Sequence, residues 1–169
     1  MRYMVLILLL ALTVGTSQAH EGTKIGVVDA DRVIQKSNKG KSFFDEYENR
    51  IKAKQDEIKA QVDEFTNAQK DYQAKAASLS EDKAIELRTR LERMKTDLER
   101  SQQDAKREMD GILEGKLDEF RKALVPLIRQ VAQEKNLDMV VNFTPQSNIV
   151  HVSENIDITD DVIKKFDAQ

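Results

Sequence analysis

The stretch that decides the fold is KSFFDEYENRIKAKQDEIKAQVDEFTNAQKDYQAKAASLS, residues 41–80. Within it one heptad position stays apolar six times running, at Phe44, Ile51, Ile58, Phe65, Tyr72 and Leu79. A 7-residue apolar repeat held that long predicts a long helix with a narrow buried seam. Neither proline nor glycine interrupts residues 42–103. The one break is Ala77-Ser78-Leu79-Ser80-Glu81-Asp82. There Ser80 can cap a new helix, with Glu81 and Asp82 in the first turn against its positive end. The seam then resumes at Ala84, Leu87, Leu91, Met94 and Leu98. The expectation is two antiparallel helices joined by a tight turn, each arm of about 35 to 40 residues and about 55 Å long.

The first arm has a half-furnished seam. Its companion positions, counted four residues on, are Glu48, Gln55, Val62, Gln69 and Ala76, which are mostly polar or small. A tight coiled coil would be apolar there too, so this arm should bend and open more readily than its base. The returning arm changes register at Ala105, Met109, Leu113 and Leu117. Gly111 and Gly115 sit inside that shift, as either a hinge or a point of close helix approach.

Outward from the arms, apolar density rises from Leu113 onward, placing the core at one end, and Pro126 is expected to kink the helix there. Residues 20–40 and 132–169 then supply a small β body around the arms of residues 41–131. Ile25 and Val27 share one face of a short strand, followed by a brief helix over Asp29–Ile34. Asn136 ends the long helix. Leu137, Met139, Val141 and Phe143 alternate as a strand with one buried face. Thr144-Pro145-Gln146-Ser147-Asn148 reads as a turn and Ile149–Val152 as a returning strand. Thr159 is a candidate cap for a last helix carrying Val162, Ile163 and Phe166. Three such short strands are marginal alone, which predicts oligomerisation through the sheet. The fold class is therefore mainly α with a small β body, a long helical hairpin projecting from a short-stranded oligomerisation base.

Residues 1–19 carry Arg2, an almost wholly apolar run over Val5–Val14, and Ser17-Gln18-Ala19 before a cut. That is a cleavable signal-peptide pattern, which predicts an exported protein. The 169 residues hold 27 basic and 30 acidic side chains, two histidines and no cysteine. Near-balanced charge argues against a nucleic-acid partner, and the missing thiols exclude thiolate metal sites and thiol catalysis. His20 and His151 are isolated, and no phosphate-cradling glycine loop is present. No catalytic, cofactor-binding or metal site is expected, and the chain does not read as an enzyme. The candidate contact surface is instead apolar residues beside the thin seam: Val62, Phe65, Tyr72, Leu79, Ile85 and Met94. On several arms around one base they could hold apolar segments weakly and at many points.

With those residues in view, the chain resembles the Skp (OmpH) family of periplasmic chaperones over about Lys24 to Phe166. The resemblance rests on Ile25-Gly26-Val27-Val28-Asp29 followed by Arg32-Val33, Ser37, Gly40 and Lys41, and on the long hairpin. It continues in Asn136-Leu137-Asp138-Met139-Val140-Val141 and in Ile156-Asp157-Ile158-Thr159-Asp160-Asp161-Val162-Ile163-Lys164-Lys165. It implies a periplasmic homotrimer with arms around a cavity, holding unfolded outer-membrane β-barrel proteins without ATP. Trimer contacts are then expected from Ile25, Val27, Leu137, Met139, Val141, Phe143 and Ile149. Well-known members are strongly basic, which is linked to acidic clients and lipopolysaccharide. This chain has a pI of about 5.5, and residues 50–110 hold 14 basic and 14 acidic side chains. Membrane or lipopolysaccharide contact is thus left open. The rival reading is a structural coiled-coil spacer or adaptor docking one folded envelope partner.

Overall fold

The computed structural model describes residues 22–144 and 146–169; the signal-peptide reading falls on residues outside that range. The alternating residues near the N-terminus form strand β1, Ile25–Val28. Asp29 accepts the Arg32 backbone N–H at 2.8 Å and so caps helix α1, Ala30–Lys36. Only Ser37 separates α1 from the first arm, α2, Asn38–Lys75. Ser37 is fully buried and serves both helices. Its hydroxyl donates to the Ile34 carbonyl and accepts the Gly40 N–H, each at 3.1 Å.

A 3₁₀ turn, Ala76–Ser78, forms the tip, and the second arm α3 runs from Glu81 to Glu134. Ser80 holds the capping position with extended backbone, although its hydroxyl makes no capping hydrogen bond. Glu81 and Asp82 alone face the positive helix end. Pro126 lies inside α3, which continues unbroken through it. Asn136 ends the helix in the left-handed region, φ 51°. Leu137 N–H reaches back to the Ala132 carbonyl at 2.9 Å and Asn136 N–H to Gln133 at 3.1 Å. That pair of bonds is the Schellman ending, with asparagine in the place usually held by glycine.

The chain then enters strand β2, Met139–Asn142. It pairs in parallel with β1, with Ile25 opposite Met139 and Val27 opposite Val141. A parallel pair needs a long crossover, and here all three intervening helices supply it. Ile149–Val152 is not a strand, which corrects the expectation of a third. A strand needs a ladder partner, and β1's other edge is already used by Asp157: Ile158 N–H donates to the Val27 carbonyl at 2.8 Å. The last helix, α4, Thr159–Asp167, also starts differently from the reading above. Thr159 is not its cap. Asp157 accepts the Thr159 N–H at 2.8 Å, while the Thr159 hydroxyl accepts the Asp29 N–H at 3.0 Å.

The core lies at the base. Val28, Val33 and Ile34 pack with Phe120, Leu124, Leu127 and Val131 of α3 and with Ile158, Val162 and Phe166. Phe120 stands edge-on to both Phe43 and Phe166, with ring centroids 5.9 and 5.6 Å away. Each such buried side chain contributes about 1.5–3 kcal/mol. Gly26 faces this core, where an added Cβ would lie 2.5 Å from a Leu137 methyl.

Candidate functional site

The arms pair along a seam whose first row is the one read from the sequence. Phe44, Ile51, Ile58, Phe65 and Tyr72 are all half-buried. The companion row differs. Glu48, Gln55, Gln69 and Ala76 are exposed, whereas Tyr47, Lys54, Gln61 and Ala68 are half-buried. The second row lies three residues on, because α3 lies against that side of α2. Of the earlier set only Val62 is half-buried, flanking Gln61.

This companion row has a gradient along the arm. Tyr47 donates its hydroxyl to the Met109 carbonyl at 3.3 Å. Lys54 reaches Glu108 across the seam at 3.0 Å, and that carboxylate holds the ammonium above its usual pKa. Gln61 buries a side-chain oxygen with no hydrogen-bond partner among the described residues. Ala68 ends the row with a methyl group. Its layer contains a cavity of about 300 Å³ between Ala68 and Tyr72 on α2 and Leu87 and Leu91 on α3. Arg88 closes the next layer, donating to the Tyr72 hydroxyl at 2.5 Å with its guanidinium 5.9 Å from the ring centre. Arg90 approaches Glu64 at 3.9 Å.

The six residues expected to meet clients divide unevenly. Val62, Phe65, Tyr72, Leu79 and Met94 are half-buried, while Ile85 is 56% exposed and stands off the seam. Gly111 and Gly115 lie within α3, and a Cβ on either would meet nothing within 4 Å. Among the described residues, then, no helix approaches them closely.

The base carries a second surface. Ile25 and Met139 sit side by side in the β register and are 40% and 53% exposed. Leu137, Val141, Phe143 and Ile149 are half-buried, whereas Val27 is already buried within the protomer. Sequence reasoning missed two residues here. Val125 is 47% exposed and lines a cavity of about 330 Å³ with Leu137 and Met139. Val150 is wholly exposed. Val125 was findable, since it stands off the buried helical stripe of Leu124, Leu127 and Val131.

Electrostatic ties fasten the two ends of the chain together. Arg32 contacts Asp160 at 2.9 Å and Asp157 at 3.3 Å. The Asp160 hydrogen bond raises the guanidinium pKa. Burial alone would raise the Asp157 pKa, but the hydrogen bonds from Thr159 and the charge of Arg32 outweigh it and hold it low. Among the described residues no group of three or more histidine, cysteine or acidic side chains could hold a metal ion. No helix among them is long and apolar enough to cross a membrane.

Comparison with known proteins agrees with this geometry. The profile of the family described as Outer membrane protein (OmpH-like) matches residues 24–166. A search of curated proteins finds no match. Among solved structures, a candidate outer membrane chaperone (OmpH-like) from Caulobacter crescentus superposes with a TM-score of 0.79 at 19% identity. The match covers 86% of this chain and 85% of that one. At that identity the likeness establishes the fold, and the profile match over most of the chain establishes the family: this chain belongs to the OmpH-like family of outer membrane proteins.

Proposed function

We propose that the protein is a periplasmic, nucleotide-independent holdase that keeps unfolded outer-membrane β-barrel proteins from aggregating. The observation that carries this reading is the division of the chain into a packed base and long arms whose seam is only half-buried from Ile51 to Leu98. Arms with little packing of their own open at low cost and present apolar groups at many points. Many weak contacts then sum to useful affinity without a deep pocket. A spacer between folded partners needs rigidity, and an arm with a buried unpaired glutamine oxygen is poorly built for it. Family membership supports the periplasmic setting.

The reading includes a homotrimer assembled at the base. Its support is the uncovered apolar surface of Ile25, Val125 and Met139, beside strand β2, one edge of which is unpaired among the described residues. Segment 146–152 leaves the sheet unpaired with Val150 fully exposed, and pairing it with a neighbouring protomer would cover both. The cleavable leader over residues 1–19 and a hinge at Gly111 and Gly115 belong to the same proposal. The open surroundings of the two glycines favour flexibility over close packing.

The test dilutes a urea-unfolded outer-membrane barrel protein into buffer with the purified mature protein. Light scattering follows aggregation, and native mass spectrometry counts subunits. Suppressed aggregation without nucleotide, by a trimer carrying one client, is the expected result. A trimer that leaves aggregation unchanged would refute the holdase reading and favour the spacer.

A further inference from the structure

The cavity near the arm tip has an identifiable cause. The companion row reads Tyr47, Lys54, Gln61, Ala68, so its side chains shrink to a methyl group one layer before the Arg88–Tyr72 contact. Leu87 and Leu91 face that methyl from α3, and about 300 Å³ stays unfilled between the helices. The space is a cleft rather than a sealed void: its outer side is formed by the exposed Glu64, Asn67, Asp71, Lys75 and Arg90, so a side chain can enter from solvent.

We infer that this cavity is a subsite for a single aromatic side chain of an extended client segment. The inference rests on the holdase reading and narrows its substrate class. Size is the first ground: the cleft lies at the lower limit for small-ligand sites and is ample for one ring, since a cavity of about 150 Å³ already holds benzene. Composition is the second. Ala68, Leu87 and Leu91 supply an apolar floor and Tyr72 a ring for edge or offset contact. Charge is the third. Lys75 and Arg90 at the rim can lie over a ring face, and Arg88 already holds that relation to Tyr72. Glu64 and Asp71 balance those cations, so the rim favours neither sign of charged side chain. An aliphatic side chain would fill the cleft no better and would gain nothing from the cations. Residues of β-barrel strands that turn aromatic groups toward lipid are, when unfolded, a ready supply of such occupants.

Ala68→Leu tests the inference without threatening the fold. Leucine is a good helix former and fills the void, so amide exchange near the tip should slow. The probes are a short unstructured peptide carrying one phenylalanine and its counterpart with alanine there. In methyl NMR of the full mature protein, the phenylalanine peptide should shift the Ala68, Leu87 and Leu91 resonances and the alanine peptide should not. In A68L the affinity for the phenylalanine peptide should fall about tenfold, the scale of one lost buried ring. Equal shifts from both peptides, or unchanged affinity in A68L, would overturn the subsite. The aggregation assay separates the two readings. If A68L suppresses aggregation as well as the parent protein, the subsite fails and the holdase stands. If the parent protein itself suppresses nothing, the holdase reading fails, whatever the peptides show.

Discussion

Two residues at the base show how a single atom decides a sign. Alanine normally stabilises a helix by about 1 kcal/mol over glycine. At Gly40 the added Cβ would lie 1.6 Å from the Ile34 carbonyl oxygen, which is backbone and cannot turn aside. Gly40→Ala is therefore expected to cost about 3 kcal/mol, measured by urea unfolding, because α2 must shift away from α1. Asp157 is the second. Its pKa is held low in the folded chain by Thr159 and Arg32, so its contribution is full above the unfolded carboxylate pKa of about 4. That contribution is lost as pH falls through the lower folded value. Asp157→Asn should cost about 1 kcal/mol at pH 7. The difference between variant and parent in urea unfolding should shrink as pH falls from the unfolded carboxylate value of about 4 toward about pH 2. A gap that persisted unchanged at that pH would mean the charge is not the source.

Among the elements, the arms carry the clearest consequence. The apolar row from Phe44 to Tyr72 was legible because a strict 7-residue period survives any uncertainty about the partner. The companion row was not. Positions three and four residues on from each seam residue are both compatible with a helix, and only the side on which α3 lies selects Tyr47, Lys54, Gln61 and Ala68. That selection exposes the weakest layer, the unpaired Gln61 oxygen. Gln61→Leu removes a buried unsatisfied acceptor and adds apolar contact, so it should stabilise the arm by about 1–2 kcal/mol. Hydrogen exchange at the amides flanking position 61 would report this as slower opening. If arm opening admits clients, the same variant should hold them less well.

For the whole molecule, the uncovered residues of the base are the ones to perturb. Met139→Glu combined with Val150→Glu places charge on surface that is exposed in the protomer. Helix content by circular dichroism should be unchanged, while native mass spectrometry should show dissociation to monomers. An intact assembly would mean that the trimer forms through other surfaces. Val27 is the contrasting position, because it is buried within the protomer. A charge there would damage folding before it reported on assembly.

Local sequence signals were enough to specify the helical hairpin, its tip, the placement of the core at one end and the meeting of strands from both termini. Those follow from local periodicity, caps and breaks, which need no knowledge of neighbours. The family pattern from Lys24 to Phe166 was legible for the same reason, since it is a succession of local signals in fixed order. Tertiary structure decided the rest. Whether Ile149–Val152 becomes a strand depends on the edge it meets: Asp157 already holds the one that β1 offers, and the chain does not bring 149–152 onto the outer edge of β2. Whether the Thr159 side chain caps α4 depends on Asp29, whose N–H takes that hydroxyl, while Asp157 accepts the Thr159 N–H. The tip cavity depends on which row of α2 meets Leu87 and Leu91. Each of these is settled by the partner across the contact, and a linear pattern does not name that partner.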